Sequence, residues 1–115
     1  MDQPMTKLET RAYSSYSRDA LKLLAQMIRR ARIERKLTTQ ELADRAGISR
    51  GLIQRIERGD PGCAIGAVFE TAAIVGVRLF DADQPTMAAH LSANNATLAL
   101  LPKSVRPSGK VKDDF

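Results

Sequence analysis

Apolar residues recur along this chain at intervals of three and four, and the intervals fall into blocks. From Arg18 to Arg35 a run without Gly or Pro carries Leu21, Leu24, Ala25, Ile28 and Ala31 on one face. That spacing predicts an amphipathic helix, with Ser17 as its N-cap. Leu37 follows in the connection, where it would seal the join. Leu42, Ala43, Ala46, Ile48, Ile53 and Ile56 then cluster around Gly47, where two short helices crossing at a steep angle must touch. Ala64 to Val75 is apolar nearly throughout, with Glu70 its only charge. Such a helix should be buried on most sides, in the centre of the domain or in a dimer interface. A last helix is expected from Pro85 to about Leu101, with Met87, Leu91, Leu98 and Leu101 as its apolar side and Asn94 and Asn95 weakening its middle.

Punctuation sharpens the central block. Thr38-x-x-Glu41 is a capping box, in which the Thr hydroxyl accepts from the Glu amide and the Glu carboxylate from the Thr amide. Gly47 can take the positive φ that closes one helix and turns the chain, and Ser49 caps the next. Gly59, Asp60 and Pro61 end it. Thr39 to Arg58 therefore reads as a helix-turn-helix. The DPGC turn and the Gly76 C-cap bracket the apolar helix, and Val77 to Phe80 is too short to be a strand alone, though it leaves room for pairing with its copy in a second subunit. Residues 1–16 are polar, without sustained periodicity, and read as a flexible arm in which Lys7 and Arg11 are the basic residues. Residues 102–115 have too little apolar content to fold alone, so 17–101 is the expected domain.

Composition narrows the function. The chain has 115 residues, enough for one core, with no Trp, three Phe and two Tyr, so the core is aliphatic and an all-α class is favoured. Between Arg18 and Arg58 eleven Lys and Arg face five Asp and Glu, whereas the remainder holds seven against eight. The positive field belongs to the helix-turn-helix, and a polyanion is its natural partner. A single cysteine, Cys63, forms no internal disulfide, and neither a secretory signal nor a membrane span is expected, which points to the cytoplasm. With one His and one Cys far apart, no nucleophile–base pair, zinc site or calcium loop is legible: no catalytic residue, metal or cofactor is expected, and the chain should not be an enzyme.

Leu24 to Phe80 resembles the lambda-repressor-like domain of Cro and XRE-type regulators, about half the chain. The resemblance implies a five-helix DNA-binding domain that dimerises and sets its third helix in the major groove. By position, the reading helix begins at Ser49, with Arg50, Gly51 and Arg55 as base contacts. An Arg suits that role because it donates two hydrogen bonds to guanine O6 and N7. Thr39, where family members commonly carry Gln, is assigned with Arg45, Ser49 and Arg58 to the DNA backbone. The family also implies a structural ion pair between Arg32 and Glu57. GDPGCAIGAVFETAAIVGVRLFDAD and the tail LPKSVR…DDF are further similar to the antitoxins that accompany HipA-type kinases. That similarity implies a nucleoid-associated homodimer which represses its own operon from a palindromic operator and binds a kinase toxin, with Val77, Leu79 and Phe80 in the dimer interface as a small β-lid. A stand-alone phage-like transcription regulator is the alternative.

Overall fold

In the computed structural model, which describes residues 13–107, the regular elements are α1 (Ser15–Glu34), α2 (Thr39–Ala46), α3 (Arg50–Glu57), α4 (Ile65–Ile74) and α5 (Gln84–Ala99). A 3-10 turn at Leu79–Asp81 separates the last two helices. Among the described residues no strand forms, as an all-α fold requires. Lys7, Arg11 and the last eight residues, parts of the expected arm and tail, lie outside the described residues. The chain divides into two compact units, one ending at Asp81 and one beginning at Ala82.

The first unit is built on small contacts. Ile28 of α1, Leu42 and Ala43 of α2, Ile53 and Ile56 of α3, and Ala72 and Val75 at the end of α4 form a buried cluster. Ala43 and Ala72 are fully buried, and their short side chains let α2 approach its neighbours closely. Leu24, Ala31, Leu37, Ile48 and Leu52 pack around this centre as its half-buried shell. The buried Thr71 hydroxyl donates to the Ala67 carbonyl at 2.8 Å, so its polarity is satisfied within its own helix.

Every described helix of this unit closes in the same way. A left-handed residue, namely Lys36, Gly47, Gly59 or Gly76, turns the chain back. The following amide then donates to a carbonyl five residues earlier: Leu37 to Arg32, Ile48 to Ala43, Asp60 to Arg55 and Val77 to Ala72, at 2.9 to 3.1 Å. Three of these positions are glycine, which avoids the Cβ clash. Lys36 occupies the same conformation with a full side chain, at a cost of about 1 to 2 kcal/mol for an L-residue.

Two helices depart from expectation at their starts. The cap of α1 is Ser14, not Ser17: the Ser14 hydroxyl accepts from the Ser17 amide at 3.2 Å, placing Ser17 inside the first turn. Both serines can cap, and the earlier one lets the helix gain most of another turn. In α5 the N-cap is Asp83, which accepts from the Thr86 amide at 2.9 Å, so Pro85 is the second helical residue, not the first.

Burial of α4 is narrower than its composition suggests. Thr71 and Ala72 are buried, Ala67, Val68, Phe69 and Ile74 are half-buried, and Ile65 is 69% exposed. One helix face meets the core, because α2 and the following 3-10 turn do not cover its whole circumference. The second unit is simpler: α5 has no buried residue, and Leu91, Leu98 and Leu101 are exposed.

Candidate nucleic-acid interface

Between α2 and α3 the chain turns through Gly47, at φ 70°, and Ser49. The capping box forms as the residue pattern requires: Thr38 Oγ1 accepts from the Glu41 amide at 3.0 Å and Glu41 Oε1 from the Thr38 amide at 2.8 Å. Ser49 Oγ accepts from the Leu52 amide at 3.1 Å. That bond starts α3 at Arg50 and leaves the Ser49 hydroxyl proton available to another acceptor.

α3 separates its residues by role. Ile53 and Ile56 are buried, with Leu52 half-buried, while Arg50, Gly51, Gln54 and Arg58 are exposed. The glycine is not required by packing: a Cβ at Gly51 would find only Ser49 Oγ, 3.9 Å away. A helical Gly is unfavourable by about 1 kcal/mol against Ala. Its use on an exposed face suits a surface that must come close to the backbone.

Behind that face, α3 is clamped to α1. Arg32 Nε donates to Glu57 Oε2 at 2.7 Å and Nη2 to Oε1 at 3.0 Å, while Nη1 donates to the Leu37 carbonyl at 2.9 Å. The two side chains are 12% and 7% exposed, so this is a bidentate pair largely out of water. The hydrogen bond to Glu57 raises the Arg32 pKa further above its ordinary value; burial opposes that shift and the Glu57 charge adds to it. One side chain, Arg32, thus ties together α1, the loop after it and the end of α3.

Arg55 is oriented differently from Arg50. Its Nε donates to Asp60 Oδ2 at 2.8 Å, and Asp60 Oδ1 accepts from the Gly62 amide at 2.8 Å, so Arg55 braces the turn that follows α3. The Arg55 hydrogen bond, and then the Gly62 amide, hold the Asp60 carboxyl below its ordinary range, against partial burial.

Thr39 is half-buried at the start of α2, and Arg45 is exposed in its last turn. A shallow depression brings Thr39 together with Arg29, Arg32, Gln54, Glu57 and Arg58. Arg29 and Gln54 are members of this surface that the sequence reading did not name. Gln54 could have been found from its spacing, four residues after Arg50 and adjacent to the buried Ile53. Arg29 could not, because its place beside α2 is a tertiary fact.

Within the single chain, Val77, Leu79 and Phe80 lie in no strand. Val77 and Leu79 pack against the core cluster, and Phe80 stands at φ 54° with its side chain 76% exposed, ring edge-on to Phe69 at 6.1 Å. After the Gly76 closure the single chain curls into the 3-10 turn, with Phe80 in the left-handed region.

Among the described residues no group of three or more His, Cys, Asp or Glu converges, and no helix is long and apolar enough to cross a membrane. Burial pushes the half-buried Cys63 thiol up, away from the reactive thiolate.

Residues 28–62 match the helix-turn-helix family. No curated protein and no solved structure matches the chain. The matched segment runs from the buried Ile28 of α1 through the turn after α3, so it includes both members of the Arg32–Glu57 clamp and the whole exposed face of α3. It is a family of DNA-binding regulators and not of enzymes, so the match supports DNA-binding transcription regulation.

Proposed function

We propose that the chain is a sequence-specific transcriptional repressor that enters the major groove with α3. The observation that carries this reading is the division of α3 between a buried Ile53–Ile56 side and an exposed side bearing Arg50, Gly51 and Arg58. Arg50, at the leading end, donates to a guanine, and the bare Gly51 admits the base edges beside it. Thr39, Arg45, Ser49 and Arg58 bond phosphates and set the register without reading sequence. Binding as a homodimer to a palindromic operator follows from the need for two half-sites. Arg50→Ala should weaken binding to the cognate operator roughly 5- to 150-fold more than binding to random duplex. Equal losses on both, measured by titration at fixed salt, would contradict direct readout.

Within the same proposal the regulator is the antitoxin of a type II toxin–antitoxin system. It neutralises a HipA-type kinase and represses its own operon. What supports this part is the resemblance carried by residues 59–83 and the tail beginning at Leu101. Co-expression with the neighbouring genes tests it: the antitoxin reading predicts a kinase that co-purifies with the chain. Recovery of the chain alone leaves a stand-alone regulator.

A further inference from the structure

We infer that Gln54, and not Arg55, is the side chain of α3 that reads a second base pair, and that the pair it reads is A·T. This rests on the proposal that α3 enters the major groove.

The two residues are neighbours in sequence but differ in what holds them. With 3.6 residues per turn, Gln54 lies about 40° around the helix from Arg50, whereas Arg55 lies about 140° away. Gln54 therefore extends the Arg50 side of the helix by one turn. Its side chain is exposed, and no hydrogen bond to its amide is found among the described residues. Gln40 on α2 differs, since its amide donates to Asp44 at 2.9 Å. Arg55 is half-buried and bound through Nε to Asp60 at 2.8 Å. Turning the guanidinium away from Asp60 toward a base would cost that bond and loosen the turn that Asp60 also holds through the Gly62 amide.

Chemistry then selects the base. A primary amide offers one acceptor and one donor side by side, which matches the N6 donor and N7 acceptor of adenine; guanine presents two acceptors there. The surroundings suit insertion into a groove, because Gln54 shares its depression with Arg29, Thr39 and Arg58. Those side chains meet phosphates while the amide between them meets a base edge.

Arg55 is accordingly a positioning residue. It acts on the end of α3 through Asp60, and its loss alters how firmly the helix is held without changing which bases are preferred.

The test is selection from a randomised duplex library by the full chain and by Gln54→Ala, Gln54→Arg and Arg55→Ala, with thermal melting of each protein. Gln54→Ala should melt like the parent and lose, at one A·T pair in each half-site, a preference of roughly 5- to 150-fold. Affinity for random duplex should be unchanged. Gln54→Arg should move that preference to G·C. Arg55→Ala should bind more weakly at every position, melt lower and keep the parent's pattern of preferred bases. The inference is overturned if Gln54→Ala retains the whole pattern, or if Arg55→Ala erases one position. A parent chain that selects no sequence at all would overturn the DNA-reading proposal itself, and this inference with it.

Discussion

α3 and α5 are both capped by an acceptor side chain and both carry apolar residues at helical spacing, yet they have opposite standing in the molecule. α3 has 8 residues, two of them buried, and lies in the centre of the first unit. α5 has 16 residues, none buried, and from Gln84 to Ala99 it contains no Lys, Arg, Asp or Glu. Length and local signals therefore do not decide how firmly a helix is held. Isolated helices of about 12 to 15 residues are marginal in water, and most helical stability in proteins comes from packing an apolar face. α3 has that packing and α5 has no buried side chain to supply it.

The comparison breaks most sharply at the clamp. Glu57→Ala leaves the Arg32 charge unpaired in a site only 12% exposed, and should cost about 3 to 5 kcal/mol in a urea titration. A loss below about 1 kcal/mol would mean that α3 is not anchored through this pair. Ile53→Ala, which removes a fully buried side chain, should cost about 2 to 5 kcal/mol. The matching change on the other helix, Leu98→Ala at a position 63% exposed, should stay within about 0.5 kcal/mol. Comparable costs for the two truncations would show that α5 is packed in solution.

A small, pH-dependent effect concerns the Arg55–Asp60 brace. Because Arg55 depresses the Asp60 pKa, its stabilisation is fully present above the unfolded carboxylate value of about 3.9 and is lost as pH falls through the lower folded value. Asp60→Asn should be less stable than the parent near neutrality, by under about 1 kcal/mol since the pair is partly exposed, and the gap should close in strong acid. A gap that persists unchanged at low pH would assign the brace to packing and not to charge.

Several parts of this architecture were open to reading from residues alone. Thr38, Glu41, Gly47 and Ser49 each act within four residues of their own position, so the capping box, the turn and the start of α3 follow from local chemistry. The Arg32–Glu57 pair was reached only through family resemblance, since nothing in a separation of 25 residues specifies a contact. Three things were misjudged: the cap of α1, where two serines compete; the start of α5, where Asp83 caps one residue before Pro85 could begin the helix; and the burial of α4, where composition does not say how many sides have neighbours.

Residues alone were enough for the capping box of α2, the turn at Gly47, the start of α3 and the basic character of the segment from Arg18 to Arg58, because each depends on neighbours a few residues apart. Only the tertiary structure decided which exposed side chains share a surface. It turned Arg55 to Asp60, left Gln54 open beside Arg29 and Arg58, and drew Val77 and Leu79 inward. The reason is physical: a side chain's direction is set by the elements packed around it, and those elements meet at distances along the chain that no local pattern encodes.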